Sequence, residues 1–258
     1  MKSISVVILT KNEGRCIANA IETAFQISDD VWIIDSGSTD NTLEIAGIYQ
    51  VNVLNIEWKG FGNARNSGAE NCKYNWIFCL DADETISEEL AHSIEEEKLK
   101  EDTIYGCQRR NFWNEKPIRF GEWGHDIVYR LYDKRQAAWN LDEVHEQLVS
   151  ATQKRRILKG FLYHYTSENL LDYQQKLERY ASLSAIKYFK KGKNAGWLKR
   201  KISPPFSFIK NYFFSLGFLD GKEGWIIAKA HAHYTSMKYK NLNKLYKKSG
   251  QNSVRINA

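Results

Sequence analysis

The stretch Trp76-Ile-Phe-Cys-Leu80 is apolar and runs straight into Asp81-Ala82-Asp83. Two carboxylates at the end of a buried run are costly unless a cation or hydrogen-bond donors compensate them. Hard divalent ions bind through one or two carboxylates together with a substrate's phosphates. Asp-x-Asp by itself is a weak signal, since either acid can also cap a helix.

Other polar groups recur at the ends of apolar runs. Thr10-Lys11-Asn12-Glu13 follows Ile4–Leu9, and Asp35-Ser36-Gly37-Ser38 follows Asp30–Ile34. Gly60-Phe-Gly62-Asn-Ala-Arg65-Asn66 opens a helical stretch. It is not a dinucleotide-binding fingerprint, because Arg65 stands where the third glycine belongs and the segment follows the third strand rather than the first. An arginine there suits stacking on, or hydrogen bonding to, a nucleotide base. The run Asn140-Leu-Asp142-Glu143-Val-His145-Glu146 offers acids for proton transfer.

The elements that must position these groups alternate. Strands are expected at 4–9, 30–35, 51–56 and 75–80, with helices at 16–25, after Ser38 as N-cap, near 62–72 and at 87–100 behind a Ser87 cap. This pattern predicts an α/β fold, a mostly parallel sheet flanked by helices, whose ligands bind at the carboxyl ends of the strands. From about 104 the segments become shorter and aromatic-rich, and from Glu168 the pattern is helical, with Pro204-Pro205 expected to break it. The expected domains are 1–166 and a basic, aromatic-rich helical appendage at 167–258.

Charge divides the same way. Residues 1–150 hold 15 Lys+Arg against 26 Asp+Glu, net −11, whereas 151–258 are net +17. A basic, aromatic second part predicts contact with an anionic surface. Phe206, Phe208, Phe213 and Phe214 beside Lys199, Arg200 and Lys201 suit an in-plane interfacial segment, so the surface is expected to be membrane. Nucleic acid is not expected, for lack of any matching motif. The four cysteines show neither disulfide nor zinc spacing. No run approaches the roughly 18 apolar residues of a spanning helix, and the opening residues do not resemble a signal peptide. The expected location is cytoplasmic, peripheral to the inner face of a bacterial inner membrane.

The segments VVILTKNEG, VWIIDSGSTDNT, GFGNARNSGA and FCLDADE, in this order, resemble the nucleotide-sugar-binding half of family 2 glycosyltransferases, which have the GT-A fold. VHEQL, LYHYT and GFLDGKEGWIIA are more loosely similar to the subgroup that adds glucose to the inner core of lipopolysaccharide. The resemblance implies that Thr10 and Asp35, with Asn12 and Glu13 nearby, contact the uridine of a UDP-sugar. It implies further that Arg65 packs near the base, that Asp81 meets the ribose and that Asp83 holds Mg²⁺ or Mn²⁺ on the diphosphate. His164 falls where some members place an extra metal ligand. Glu146 is the expected base of an inverting transfer, with Asp142 in reserve and His145 placed to orient it. Trp58, Trp113, Trp123 and Trp139 are candidates for stacking on sugar rings; Trp123 is chosen for the acceptor side, with Arg130 facing an acceptor phosphate. The acceptor implied is lipopolysaccharide core. Alternatives are another polysaccharide or lipid-linked glycan, or a protein that binds nucleotide-sugar without turnover.

Overall fold

A computed structural model describes residues 3–142, 146–151, 154–167, 170–194 and 196–250. The chain forms two compact units, Met1–Arg110 with Asp126–Tyr165, and Asn111–His125 with Thr166–Ala258. The segment Asn111–His125, which the sequence reading places in the first domain, belongs with the second unit.

In the first unit β1 (Ile4–Thr10), β2 (Asp30–Asp35), β3 (Asn52–Asn55) and β4 (Trp76–Asp81) lie parallel in the order β3-β2-β1-β4. The expected helices appear as α1 (Ile17–Ala24), α2 (Thr42–Ile48) and α3 (Phe61–Asn71). Beyond β4 come β5 (Glu84–Ile86) and α4 (Glu88–Glu96), then β6 (Thr103–Trp113). The short β7 (Lys116–Pro117) pairs with the end of β6, and β8 (Asp126–Asp133) follows. β8 runs antiparallel to both β4 and β6, and β11 (Lys154–Ser167) antiparallel to β5, so the sheet is mixed. β9 (Ala137–Trp139) and β10 (Leu148–Ser150) form a separate antiparallel ribbon.

The period-2 geometry of β1 explains its unbroken apolar sequence. Val6 and Ile8 face a cluster with Ile17 and Ile21 of α1, while Val7 and Leu9 face another with Ala64 and Ala69 of α3. A strand covered on both faces needs apolar side chains at every position. Burying each contributes about 1.5–3 kcal/mol. Ser87 caps α4 as expected, its Oγ accepting from Leu90 N at 3.2 Å. Ser38 does not cap α2, which starts later, behind Asn41. The Ser38 hydroxyl instead donates to Asp35 and accepts from Asn12 N.

The second unit contains α5 (Leu170–Lys190), α6 (Trp197–Ile209) and α7 (Lys222–Lys248). Trp113, Ile118, Trp123, Tyr173, Ile227 and Ala230 form one cluster, and Ala185, Tyr239 and Leu242 another. The buried Asp220 carboxylate accepts from the backbone N–H groups of Arg119 and Phe120, and Lys116 Nζ donates to Asp220 O at 2.9 Å. These bonds and the tryptophan cluster hold segment 111–125 in this unit. Pro204 and Pro205 do not break the chain as expected; they lie inside α6. Proline's fixed φ is compatible with a helix, and α6 continues to Ile209 although the pair removes two N–H donors from its ladder. A π-helical turn, Lys210–Phe214, follows directly.

Gly68 sits where α3 meets the sheet. A Cβ there would fall 2.7 Å from Val7 Cγ1 and 2.8 Å from Ile34 Cγ1. Alanine is the better helix former by about 1 kcal/mol, yet Gly68→Ala is expected to destabilise by about 1–3 kcal/mol through overpacking. The midpoint of urea denaturation measures this; a midpoint at or above that of the unchanged protein would contradict the tight seat of α3.

Candidate active site

Adjacent parallel strands bring the predicted polar groups to one end of the sheet. Thr10 is in register with Asp35, and Leu9 with Asp81. The loops after β1 and β2 are tied together. Asn12 has φ 57°, and its Oδ1 accepts from Thr39 N at 2.7 Å. Glu13 N donates to Thr42 Oγ1 at 2.8 Å. Asp35 is buried and its carboxylate accepts from Gly37 N, Ser38 N and the Ser38 hydroxyl. It shapes the turn, and its side chain is occupied there. Thr10 Oγ1, by contrast, is buried without a hydrogen-bond partner among the described residues. A buried hydroxyl left unpaired costs free energy that a ligand atom can recover.

The largest feature is an alternating chain of acids and guanidinium groups. Glu146 Oε1 meets Arg65 at 2.5 Å, Arg65 meets Asp81 Oδ1 at 2.8 Å, and Asp81 Oδ2 meets Arg130 at 2.7 Å. Arg130 continues to Glu84 at 2.8 Å, Glu84 to Arg109 at 3.2 Å, and Arg109 to Asp126 at 2.6 Å. The Glu84 carboxylate, fully buried, also accepts from Asp81 N at 3.0 Å. The Arg65 side chain is 2% exposed, and its guanidinium lies 4.4 Å from the centre of the Trp139 ring. Burial opposes the charge of Asp81, but Arg130 and then Arg65 hold its pKa well below the ordinary 3.8. Burial likewise works against Arg130, whose pKa is nevertheless raised by Asp81 and Glu84.

Each predicted site residue can now be placed. Arg65 reaches Asp81 and Glu146, two groups singled out independently, and is enclosed under Trp139. Its guanidinium is committed to these carboxylates; it is not presented to a nucleotide base. Arg130, also buried, is committed to Asp81 and Glu84 and does not present its charge to solvent for an acceptor phosphate. Trp123 is 9% exposed, tilted against Trp113 and edge-on to Tyr173 in the second unit, so packing occupies its ring. Asp142 is exposed, three residues beyond the end of β9. Glu143 and His145 lie outside the described residues.

The predicted metal ligands come together. His164 Nε2 is 3.3 Å from Asp83 Oδ2, because β11 pairs with β5 so that His164 stands opposite Glu84. Tyr165 N donates to Asp83 O at 3.0 Å, fixing the loop. Among the described residues no group of three or more His, Cys, Asp or Glu side chains gathers as a metal cage. One carboxylate and one imidazole nevertheless fit a divalent ion that takes its remaining ligands from substrate phosphates and water. Asp81 does not fit that role, since both of its oxygens already meet guanidinium groups.

Sequence reasoning missed Glu84, Arg109 and Asp126. The only signal for Glu84 was its position directly after Asp-x-Asp. For the others none existed locally, because their partners arrive from strands 25 and 17 residues away.

The Glycosyl transferase family 2 profile matches residues 5–161, which includes the charge chain and Asp83 and ends just before His164. This chain therefore belongs to glycosyl transferase family 2, with an α/β architecture of the GT-A kind. An uncharacterized glycosyltransferase of Rickettsia prowazekii (strain Madrid E) is 29% identical over 88% of this chain and 82% of its own length. The lipopolysaccharide core biosynthesis glycosyltransferase LpsC of Rhizobium meliloti (strain 1021) is 26% identical over 90% of this chain and 88% of its own. The crystal structure of S. aureus TarS 1-349 in complex with UDP-GlcNAc superposes with a TM-score of 0.43 at 16% identity, covering 96% of this chain and 92% of that one.

Removing one member of the buried chain exposes its energetics. Arg130→Met leaves Asp81 and Glu84 without their shared cation and is expected to cost about 3–5 kcal/mol near neutral pH. Because the folded-state pKa of Asp81 is depressed, its ionised form stabilises above the ordinary value, and that contribution is lost as pH falls through the folded-state value. The variant's Asp81 instead takes up a proton on acidification. The gap between the two proteins is expected to hold from neutral pH down to about pH 4 and to narrow as the pH falls further, toward about pH 2. Urea denaturation across that range tests it, and a constant gap would argue against the charge chain.

Proposed function

We propose that this enzyme transfers a hexose, glucose by preference, from a UDP-sugar to lipopolysaccharide inner core with inversion at the anomeric carbon. The observation that carries the reading is the Arg65 bridge, which joins Asp81 of the Asp-x-Asp segment directly to Glu146. The candidate donor and proton-transfer groups thereby share one buried cation.

The chemistry follows from these groups. The acceptor hydroxyl oxygen attacks the anomeric carbon, the bond from that carbon to the diphosphate oxygen breaks, and UDP departs. Glu146 takes the hydroxyl proton; Oε1 is held by Arg65, and among the described residues Oε2 has no partner. Arg65 thus orients the base rather than reacting itself. Thr10 and the Asn12–Glu13 backbone line the uridine side, with Asp35 setting the turn and Asp81, fixed by two guanidinium groups, facing the ribose. Asp83 and His164 would hold Mg²⁺ or Mn²⁺, and such an ion supplies neutralisation of the charge growing on the leaving diphosphate.

The acceptor class rests on the LpsC likeness, and on the surface of the second unit. Trp197, Leu198, Ile202, Phe206, Phe213 and Phe214 are all exposed along α6 and the turn after it. Lys199, Arg200 and Lys201 lie among them. No helix among the described residues is long and apolar enough to cross a membrane. A basic, aromatic face of this kind suits in-plane attachment to an anionic bilayer, where each cation contributes on the order of 1 kcal/mol.

A screen for UDP release from several UDP-sugars with core acceptors of different lengths tests the reading. Glu146→Gln is expected to lower kcat by about 10²–10⁴ and, because it takes one charge from the buried Arg65 pair, to lower the Tm as well, so circular dichroism at the assay temperature checks that the variant is folded. Asp83→Ala and chelation by EDTA are each expected to abolish transfer. Full activity in Glu146→Gln would exclude that residue as the base, and full activity after exhaustive chelation would remove the metal from the mechanism. Flotation with liposomes containing anionic lipid is expected for the unchanged protein. Phe213→Ser/Phe214→Ser is expected to lose most of it; undiminished flotation would exclude this face.

A further inference from the structure

The second unit contains a cavity of about 290 Å³ lined by Tyr188, Lys193, Asn194, Lys199 and Tyr239. Its cations cluster on aromatic rings. Lys193 Nζ lies 4.8 Å, and Lys238 Nζ 5.1 Å, from the centre of the same Tyr188 ring. Lys238 Nζ is also 5.1 Å from the Tyr239 ring and 5.3 Å from the Tyr234 ring. Among the described residues no carboxylate forms an ion pair with Lys193, Lys199 or Lys238. The acid acting on Lys238 is Glu122, whose carboxylate already accepts from His231 Nδ1 at 2.8 Å.

Lys193 and Lys199 line the cavity and Lys238 lies behind it on the shared Tyr188 ring, so the three charges repel one another and the rings soften that repulsion only in part. Burial, helped by Lys199 and Lys193, lowers the Lys238 pKa below the usual lysine range. An arrangement that raises the energy of the empty site is relieved by an anion, and the tyrosines and the Asn194 amide give a polar, wet rim suited to oxygen ligands. The backbone of Lys193 is held at both ends of its peptide units: Lys193 N donates to Tyr188 O at 2.9 Å, and Tyr246 Oη donates to Lys193 O at 3.2 Å. These bonds fix the turn between α5 and α6 that carries Lys193.

We propose that the pocket lined by Lys193 and Lys199, with Lys238 adding its charge from behind, is a phosphate-binding site, taking a phosphomonoester or inorganic phosphate. All of its residues lie in the second unit, so it stands independently of the transfer reading. Lys199 belongs to α6, which also carries Trp197, Leu198 and Phe206, so a phosphate borne on a lipid headgroup is one source of this chemistry and free phosphate is the other.

The test compares full-length protein with Lys193→Ala/Lys199→Ala, and with Lys176→Ala/Lys240→Ala, an equal charge change at exposed positions of α5 and α7. At constant ionic strength, inorganic phosphate in place of chloride is expected to raise the Tm of the first and third proteins but not of the second. The affinity for phosphate by calorimetry should fall at least about tenfold in the pocket variant, which corresponds to about 1.4 kcal/mol. Vesicles of phosphatidylcholine with phosphatidic acid, and of phosphatidylcholine alone, separate the sources. Loss of both phosphate binding and phosphatidic acid flotation in the pocket variant supports headgroup recognition. Loss of phosphate binding with flotation unchanged supports a site for free phosphate. Equal weakening in the two double variants, or phosphate acting no better than chloride, overturns the site. Asp83→Ala is expected to bind phosphate as the unchanged protein does, which keeps this result distinct from the transfer assay.

Discussion

The first unit is organised around a cation that cannot leave: Arg65, enclosed under Trp139 and clamped between Asp81 and Glu146. A buried guanidinium carries a desolvation penalty of several kcal/mol, which is offset only when fixed acids surround it. Those acids must then arrive from α3's neighbours in the right places, from the end of β4 and from the loop before β10. Arg130 and Glu84 extend the same requirement to β8 and β5. The chain of seven alternating charges is therefore a geometric constraint on five elements at once, more than a source of net stability.

That constraint has consequences for catalysis. On the proposed reading Glu146 must keep a fixed distance from the donor sugar, and its pairing with Arg65 supplies that restraint. Linking it through one guanidinium to an acid at a strand end converts loop geometry into sheet geometry. Proximity of this kind can supply a large part of a rate enhancement. Asp83 is handled differently: its Oδ2 stands 3.3 Å from His164 Nε2, a carboxylate and an imidazole of the kind that suits a divalent ion.

The second unit follows other rules. Its cores are aromatic and small, Asp220 holds segment 111–125 by backbone bonds, Lys116 pairs with Glu223, and Lys193 and Lys238 collect around tyrosines. A charge excess of this kind has no internal stabilising use. It suits external anions, and the lysine pocket and the aromatic face of α6 are two expressions of it at different scales.

Much of this was legible in sequence where the signal is local. The β1, β2 and β4 runs, the Ser87 cap, and the positions of Thr10, Asp35, Asp81 and Asp83 at strand ends follow from periodicity and from the rule that parallel strands are buried on both faces. His164 beside Asp83 was anticipated only through family resemblance. The destinations of Arg65, Arg130 and Trp123 were not legible, and neither were Glu84, Arg109 and Asp126 as partners. Nor was the passage of α6 through Pro204-Pro205. Sequence determines which side chains are charged and which stretches can be strands or helices, because those depend on neighbours within a few residues. Which acid meets which arginine is decided by strand order and register, since burial makes an unpaired charge too costly and leaves the tertiary pairing to choose among chemically identical candidates.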